Sequence, residues 1–453
     1  MPLLYSFYGD DFTGSTDVLE QLATHGIPAV LFLAPPTFAQ IAAFPGMRAI
    51  GVAGDSRSRS PEWMSENLPA IFRSIQSLGA PVVHYKTCST FDSSRAHGSI
   101  GRAVEIGLDV FKPRFIPIVV GAPYLRRYVA FGNLFAADPD GNIVRIDRHP
   151  MAHHPVTPMR EADLRVHLAA QTRTKIGLVD LVALNSGNAS TELESRIASG
   201  SRAILFDIVG KHTQSGVGAL LWNEAQTQSA LRQSLFAIGS SGLTAALISQ
   251  WHARGQLSEL PALQPFASAR PLLVVSGSCS VATQRQIEHA LAHGFHGIAL
   301  NPATLTSKNE SARNRAREAA LEAARVSLFS GRDTILYTAL GPIGTAADSA
   351  RKPGEELGAV LGSLVRELIL SFATSEHPIR RLIFCGGDTS SHAARQLGIH
   401  ALTWAANLQP GAPLCRAHAE EPALDGIELV LKGGQVGTHD FFSLVRDGGL
   451  RHD

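Results

Sequence analysis

The stretch Leu3-Leu4-Tyr5-Ser6-Phe7-Tyr8-Gly9-Asp10-Asp11-Phe12-Thr13-Gly14-Ser15-Thr16-Asp17 decides the fold class of this chain. Its apolar run is typical of a buried strand, and the polar turn after it leads into a helical pattern that ends at Gly26. Asp10 and Asp11 therefore lie at the carboxyl end of a strand, where open α/β sheets bind their ligands. The two carboxylates could bind a polyol or take its proton, and the alternative is that they only cap the helix.

The charge balance argues against a nucleic-acid partner. The chain has 453 residues with Lys+Arg 40 and Asp+Glu 39, so its formal net charge is +1. No basic block stands out, and we therefore expect no nucleic-acid binding. No apolar stretch reaches the length of a membrane span, so we expect no membrane partner either.

Cysteine usage indicates a reduced compartment. The cysteines are far apart in the sequence and form no Cys-x-x-Cys pair; they are Cys88, Cys279, Cys385 and Cys415. This pattern favours neither a zinc site nor a disulfide framework. Because no charged segment with a cleavage site precedes the first strand, we expect a cytoplasmic protein.

Apolar runs alternate with helical patterns along most of the chain, which predicts an α/β fold with mostly parallel sheets. The predicted strands are Leu3–Tyr8, Pro28–Leu33, Arg48–Ala53, Pro81–Lys86, Phe115–Val120, Gly177–Val182, Ala203–Ile208, Leu272–Ser276, Thr334–Thr338, Arg381–Cys385 and Ile427–Leu431. The segment from Tyr128 to Ile146 is different, because its turn Asp138-Pro139-Asp140-Gly141-Asn142 predicts an antiparallel hairpin.

A change of composition from Arg254 to Pro271 indicates a linker, after which the alternation of strands and helices starts again. We therefore expect two α/β domains with mostly parallel sheets, at residues 1–255 and 270–453, and an interdomain cleft that binds the ligands.

A second strand end carries a polar turn of the same kind as the first. The predicted strand that ends at Lys86 continues as Lys86-Thr87-Cys88-Ser89-Thr90-Phe91-Asp92-Ser93-Ser94. Lys86 could pair with a carboxylate or a phosphate. Partners for sugar hydroxyls are offered by Ser89, Thr90 and Asp92. A solvated lysine beside a helix cap is the alternative.

Two further loops hold candidate polar groups. Arg57 follows the predicted strand Arg48–Ala53 and could bind a carboxylate through its fork, although loop arginines are more often solvated. The stretch Asp147-Arg148-His149-Pro150-Met151-Ala152-His153-His154-Pro155 contains several histidines. Because prolines flank them and no accompanying ligand pattern is present, we interpret it as a polar loop near the substrate and predict no metal ligands.

Turns suited to phosphate follow three strands of the second half. They are Val275-Ser276-Gly277-Ser278-Cys279-Ser280, Cys385-Gly386-Gly387-Asp388-Thr389-Ser390-Ser391 and Leu431-Lys432-Gly433-Gly434-Gln435-Val436-Gly437-Thr438. Glycines expose backbone N–H groups, hydroxyls add donors, and helix N-termini favour anions. Together the turns predict a nucleotide phosphate as ligand, although Gly210-Lys211-His212 does not complete a Walker A loop and no protein-kinase motif set is present.

These motifs together resemble the four-carbon acid sugar kinase family. The matching segments are Asp10-Asp11-Phe12-Thr13-Gly14, Gly386-Gly387-Asp388-Thr389-Ser390 and Lys432-Gly433-Gly434-Gln435-Val436-Gly437. The resemblance implies an N-terminal domain that binds a sugar acid and a C-terminal domain that binds a nucleotide. It also implies transfer of the γ-phosphoryl group of ATP to the 4-hydroxyl of a four-carbon acid.

Within the family, the chain resembles the 3-oxo-tetronate kinase branch. The segments that carry this finer resemblance are Lys86-Thr87-Cys88-Ser89-Thr90-Phe91-Asp92-Ser93, Phe131-Gly132-Asn133-Leu134-Phe135-Ala136, Asp147-Arg148-His149-Pro150 and His154-Pro155-Val156-Thr157-Pro158. The expected substrate is then a 3-oxo-tetronate, and D-threonate, L-threonate and D-erythronate remain alternatives. A non-catalytic sensor of a sugar acid and a nucleotide is a further alternative, and the oligomeric state, a homo-oligomer included, stays open.

The resemblance also distributes roles among the candidate residues. ATP, together with Mg²⁺, is expected at Ser276, Ser278, Gly386, Gly387, Asp388, Thr389, Lys432, Gly433 and Gly434. The sugar acid is expected at Asp10, Lys86, Ser89, Thr90 and Arg57. Asp11 is the first candidate for the group that orients or deprotonates the acceptor hydroxyl, and Asp92 is the second.

Overall fold

The computed structural model of the chain describes residues 2–138, 140–153, 157–257, 265–341 and 354–449, and for Asp388 the backbone alone. Parts of three predictions lie outside these residues, namely Pro139 in the hairpin turn, His154 in the histidine-rich loop and 258–264 in the linker. Contacts group the chain into two compact units. The first is Met1–Asp10, Gln21–Ala29 and Ala34–Pro261, and the second is Asp11–Glu20, Val30–Leu33 and Ala262–Asp453.

The strands are numbered in chain order. They are β1 (Tyr5–Gly9), β2 (Ala29–Phe32), β3 (Ala49–Ala53), β4 (Val82–Lys86), β5 (Ile116–Val119), β6 (Arg127–Ala130), β7 (Asn133–Ala137), β8 (Ile143–Arg145), β9 (Ile176–Val179), β10 (Ala203–Phe206), β11 (Leu235–Gly239), β12 (Leu272–Ser276), β13 (His296–Ala299), β14 (Thr334–Tyr337), β15 (Arg381–Cys385), β16 (Ile399–Gln409), β17 (Ala412–Ala419) and β18 (Glu428–Lys432).

Helices connect most of these strands. They are Phe12–Thr24, Phe38–Ala42, Pro61–Gln76, Ile100–Phe111, Leu164–Ala169, Leu181–Asn185, Ala189–Ala198, Lys211–Ala230, Ser241–Ala253, Val281–Ala292, Pro302–Leu305, Glu310–Phe329, Gly354–Phe372, Gly387–Gln396 and Phe441–Asp447. Among the described residues, no helix combines the length and the apolar character that crossing a membrane requires.

The first unit is built on a parallel sheet with the strand order β3-β1-β4-β11-β5-β10-β9. Its central strands end in register, because Gly9 pairs with Lys86, Lys86 with Gly239, and Gly239 with Val119. The loops that follow these strands therefore leave the sheet at one edge. The α/β fold class and the mostly parallel sheet are confirmed, although the central strand β11 was not among the predicted strands.

Helix Pro61–Gln76 illustrates how the sequence covers this sheet. It begins with Pro61, a favoured first residue, and the Ser60 side chain accepts a hydrogen bond from the Trp63 backbone N–H. Its buried residues recur at helical spacing and are Met64, Leu68, Phe72 and Ile75. Phe72 packs on Phe236 of β11, with ring centroids 5.1 Å apart, so the stripe is anchored in the core of the first unit.

The predicted hairpin is confirmed. Strands β7 and β8 pair antiparallel, with Phe135 opposite Arg145, and β6 pairs antiparallel on the other side of β7. Asp138 receives a hydrogen bond of 2.8 Å from the Asn142 backbone N–H across the turn, as Asp does in turns of this composition.

The second unit has the strand order β13-β14-β12-β15-β18-β17-β16-β2. Strands β14, β12, β15 and β18 are parallel, as the pattern predicts. The parallel strand β13 and the antiparallel strands β17 and β16 are additions that the sequence did not indicate. The reason is local. β16 lacks a clean alternation of apolar and polar residues, and its alanines do not favour strands.

The close contact between helices Lys211–Ala230 and Ser241–Ala253 predicts opposite effects for two Gly-to-Ala changes. A Cβ on Gly218 would lie 2.0 Å from the Ala246 carbonyl oxygen, whereas a Cβ on Gly216 would lie 3.8 Å from Leu184 Cδ2. We expect Gly218→Ala to destabilise the first unit by about 1–3 kcal/mol through overpacking. Gly216→Ala should stabilise it by up to about 1 kcal/mol because alanine favours a helix. Thermal unfolding of both variants is the measurement, and a higher midpoint for Gly218→Ala would contradict the packing argument.

Candidate active site

In the first unit, Asp10 is the first residue after β1 and is held from two sides. Its backbone N–H donates to the Lys86 carbonyl at 2.9 Å. Its carboxylate receives the fork of Arg57, with Nε 3.2 Å from Oδ2 and Nη2 2.7 Å from Oδ1. Asp10 is 3% exposed, so this ion pair compensates a desolvated charge. Arg57, predicted to bind the substrate carboxylate, uses the Nε–Nη2 edge of its guanidinium on Asp10.

The turn after β4 brings the other predicted sugar-acid residues together. Lys86 is the last residue of β4 and is buried, Ser89 is half-buried, and Thr90 donates a hydrogen bond of 2.6 Å from Oγ1 to Asp92 Oδ1. Burial, and the nearby Asp92 carboxylate after it, raise the pKa of the Cys88 thiol. Cys88 is therefore not an activated nucleophile.

A network that the sequence did not reveal fixes the end of this turn. Gln171 Nε2 lies 2.9 Å from Ser93 Oγ and 3.0 Å from His167 Nε2, while Gln171 Oε1 accepts from the Gly101 backbone N–H at 3.2 Å. Because that N–H can only donate, the orientation of the amide is fixed and His167 Nε2 must accept. Burial lowers the pKa of His167 to about 4, which agrees with a neutral ring.

The hydrogen bonds of Ser93, Gln171 and His167 stabilise a turn in which the backbone of Phe91 is strained. Its φ of 56° is in the left-handed region, which a bulky residue rarely adopts, and its ring is fully buried. The strained turn between Thr90 and Asp92 is stabilised by the packing of Phe91 and by the hydrogen bonds of Ser93. A lone serine and a distant histidine in the sequence carry no signal for this arrangement.

Asp11 belongs to the second unit and caps helix Phe12–Thr24. Its Oδ1 accepts from the Gly14 backbone N–H at 2.7 Å, and its Oδ2 accepts from Thr13 Oγ1 at 2.7 Å. The capping alternative is therefore correct for Asp11, but it does not exclude a second role. A capping carboxylate keeps further lone pairs for another partner.

The three predicted phosphate turns of the second unit meet at one edge of the sheet. Ser276 pairs with Cys385, and Cys385 pairs with Lys432, so the turns leave β12, β15 and β18 at the same level. The approach is close. A Cβ on Gly277 would lie 2.4 Å from Thr389 Oγ1, and a Cβ on Gly434 would lie 2.9 Å from Ser278 Oγ.

Lys432 has a different place from the predicted one. Its ammonium donates to the Gly433 carbonyl at 2.9 Å, to the Val436 carbonyl at 3.0 Å and to Thr283 Oγ1 at 3.3 Å. These contacts account for its three N–H donors, and burial lowers its pKa. In this structure Lys432 shapes the turn that contains Gly433 rather than pointing at a ligand.

Ser280, Thr283 and Gln286, in and beside helix Val281–Ala292, support the same turn and were not predicted. Ser280 Oγ and Thr283 Oγ1 donate to the Gly434 carbonyl, the latter at 3.0 Å. Gln286 Nε2 lies 3.0 Å from each of three carbonyl oxygens of the same turn, those of Val436, Gly437 and Thr438. Buried polar residues on a helix are a weak sequence signal for this role.

Gly387 begins helix Gly387–Gln396, and the space beside it is open. Apart from its chain neighbours and the backbone of its own helix, a Cβ there would meet no described atom nearer than Asp11 Oδ2, at 4.0 Å. An anion at this helix N-terminus would be favoured by the helix dipole and by exposed N–H groups. Among the described residues, no group of three or more His, Cys, Asp or Glu side chains could hold a metal ion.

Family models match both halves of the chain. A sugar-binding N-terminal domain matches residues 5–247, and a nucleotide-binding C-terminal domain matches residues 273–442. The chain belongs to the four-carbon acid sugar kinase family. It is therefore an ATP-dependent sugar-acid kinase, with a nucleotide-binding domain that contains the three phosphate turns.

Individual relatives agree with this assignment. A 3-oxo-isoapionate kinase of Paraburkholderia graminis is 43% identical, with 99% of this chain and 95% of the relative covered. A 3-oxo-tetronate kinase of Pectobacterium atrosepticum is 30% identical, with 96% of each chain covered.

Solved structures show the same fold. A crystal structure of a Salmonella typhimurium LT2 protein, provisionally described as a tRNA synthase, has a TM-score of 0.75 at 25% identity and covers 97% of this chain and 98% of that one. Haemophilus influenzae protein HI1011 has a TM-score of 0.67 at 23% identity, with 97% of this chain and 98% of that one covered.

The open space beside Gly387 predicts a selective effect of Gly387→Ala on nucleotide binding. Apart from its chain neighbours and its own helix backbone, the new methyl group would meet no described protein atom nearer than 4.0 Å, so the fold should tolerate it. It would nevertheless occupy space that a phosphate needs. We expect the Kd for ATP to rise about tenfold or more, equivalent to about 1.4 kcal/mol. Calorimetric titration with ATP measures this, with Gly216→Ala as the control. Unchanged ATP affinity would remove this turn from the nucleotide site.

Proposed function

We propose that this kinase phosphorylates a 3-oxo sugar acid, with 3-oxo-isoapionate as the first candidate and 3-oxo-tetronate as the second. The observation that carries the proposal is the 43% identity to a 3-oxo-isoapionate kinase along almost the whole chain. The 3-oxo-tetronate kinases support the second candidate at 30% identity or less. Both candidates are 3-oxo acids, and we therefore propose this class as the substrate class of the kinase.

In this proposal the first unit binds the acid. Lys86, Ser89 and Thr90 supply a cation and hydroxyls beside β4. Asp10 accepts hydrogen bonds from substrate hydroxyls through the lone pairs that its pairing with Arg57 leaves available. Arg57 then acts through Asp10 and is a positioning residue.

The second unit binds ATP. The phosphates are proposed to lie against Ser276, Ser278, Gly386, Gly387, Asp388, Thr389, Gly433 and Gly434. Lys432, predicted to contact the nucleotide, is proposed instead to hold the last of these turns in shape through its hydrogen bonds to carbonyl oxygens. Backbone N–H groups and hydroxyls of this kind orient the phosphates, which is most of what phosphoryl transfer requires.

Mg²⁺ fits this arrangement as an ion bound mainly by phosphate oxygens. The described residues contain no ready cluster of three ligands, and Mg²⁺ in kinases commonly uses one or two carboxylates plus phosphates. The Asp11 carboxylate, 4.0 Å from a Cβ position on Gly387, is the carboxylate suited to it. When bound, the ion would neutralise charge on the transferred group.

Asp11 is also the proposed group that orients the acceptor hydroxyl, with Asp92 as the second candidate. Two hydrogen bonds hold the Asp11 carboxylate in one rotamer, and its place near Gly387 supports this choice. Asp92 is likewise held, by Thr90 at 2.6 Å, but it lies in the turn that is proposed to hold the acid. Because the transition state of phosphoryl transfer is loose, an orienting carboxylate suffices and a strong base is not required.

Substrate class is tested by ADP release from Mg-ATP with a panel of acids. The panel contains 3-oxo-isoapionate, 3-oxo-tetronate made in situ by a dehydrogenase, D-threonate, L-threonate and D-erythronate. We expect the highest kcat/KM with 3-oxo-isoapionate, lower activity with 3-oxo-tetronate and negligible activity with the unoxidised acids. A preference for 3-oxo-tetronate would reverse the order of the candidates, and activity confined to unoxidised acids would overturn the proposal.

Asp11→Asn separates the proposed chemical role of Asp11 from its capping role. Asparagine caps helices about as well as aspartate, so the thermal midpoint and the Kd for ATP measured without Mg²⁺ should stay near those of the wild type. We expect kcat to fall by about 10²- to 10⁴-fold because the acceptor hydroxyl loses its charged partner. Asp180→Asn, at the start of helix Leu181–Asn185, is the matched cap control. A fall in stability without a fall in kcat would reduce Asp11 to a cap.

A further inference from the structure

The guanidinium of Arg127, the first residue of β6, is a half-buried cation without a carboxylate partner among the described residues. Its Nη1 donates to the carbonyls of Leu125 and Arg126, each at 3.2 Å. Its Nε is buried and has no hydrogen-bond partner in the described part of the chain. Burial lowers the pKa of Arg127, which is the cost of desolvating a charge that no anion compensates.

Arg127 lies at the edge of the sheet where the acid-binding turn is found. Its carbonyl accepts from the Ala122 backbone N–H at 2.9 Å, and its own N–H donates back at 3.2 Å. Ala122 is the third residue after Val119, the end of β5, which lies level with Gly239 of β11. The Cys88 sulfur, two residues beyond Lys86, is close enough to act electrostatically on the guanidinium.

One N–H group of the guanidinium is left for a ligand. With Nη1 donating to its own turn and Nε enclosed by the protein, Nη2 makes no hydrogen bond to the described residues and is the donor left for a ligand. In Arg57 the corresponding Nη2 group donates to Asp10 Oδ1 at 2.7 Å, so a carboxylate is a suitable partner for it.

We propose that Arg127 binds the carboxylate of the sugar acid through the Nη2 group of its guanidinium. This inference deepens the proposed function and rests on it, because it assigns the acid group of the same substrate to a residue outside the predicted set. It explains how the site recognises an acid although Arg57 is already paired with Asp10. It also explains why a cation is kept half-buried without an ion pair of its own.

The test is calorimetric titration of the acids without ATP, so that binding is measured apart from turnover. The ligands are 3-oxo-isoapionate, 3-oxo-tetronate, D-threonate and D-erythronate, together with the amide of the acid that binds the wild type most tightly. The variants are Arg127→Gln, Arg127→Lys and, as a matched control, the exposed neighbour Arg126→Gln, whose Nη2 donates to the Gly141 carbonyl.

We expect Arg127→Gln to weaken binding of the acid about 10- to 100-fold, as loss of a charged hydrogen-bond pair does. The variant should bind the acid and the amide equally, whereas the wild type prefers the acid. Arg127→Lys should be intermediate, because it keeps the charge and loses the guanidinium N–H groups. Arg126→Gln and the Kd for ATP should not change.

The outcomes separate this inference from the proposed function. Acid binding by Arg127→Gln within twofold of the wild type overturns the role of Arg127, whichever acid is the substrate. If Arg127→Gln has a lower thermal midpoint, the comparison is made with Arg127→Lys, provided that its midpoint is normal. Acid binding by Arg127→Lys within twofold of the wild type then overturns the role of Arg127. If the wild type binds only D-threonate or D-erythronate, the 3-oxo proposal fails while the Arg127 comparison still applies. If it binds none of the acids, both fail.

Discussion

The register of parallel strands is the constraint on which both halves of this kinase depend. In the first unit, Gly9, Lys86 and Gly239 lie side by side, and in the second unit Ser276, Cys385 and Lys432 do. Each polar turn therefore begins at the same level as its neighbours. Residues more than a hundred positions apart meet without any attraction of their own, because backbone pairing has already brought their strands level.

Charges at such an edge are partly buried, and the structure stabilises each in a different way. Asp10 is compensated by an arginine, Asp11 by the first turn of a helix, and Lys432 by carbonyl oxygens of its own turn. These solutions have different consequences for function. A paired carboxylate can still accept hydrogen bonds through its remaining lone pairs, and a capping carboxylate is fixed in direction. An ammonium with all its donors in use has little left for a ligand.

The sequence predicts what depends on local pattern. The parallel strands, the polar turns at their ends and the hairpin after β6 follow from alternation, glycine content and the turn residues. The sequence does not predict where a side chain points or which unit a residue packs with. Lys432 follows a strand in the same way as Lys86, yet its side chain turns back onto Val436. Asp11 follows Asp10 directly, yet tertiary contacts group it with the second unit, which no periodicity could indicate.

Arg57 and Arg127 show the limit of reading function from residue type. Both are arginines in loops or strand starts near the same sheet edge, and Arg57 is the one that the sequence favours because it lies in a turn of polar residues. The two arginines differ in whether a carboxylate of the protein already pairs with the guanidinium. Asp10 occupies the fork of Arg57 at 2.7 Å, while the corresponding edge of Arg127 faces no described carboxylate. A half-buried cation is stable in such a place when a ligand supplies the missing charge. This is why we propose the uncompensated arginine, rather than the paired one, as the residue that recognises the acid.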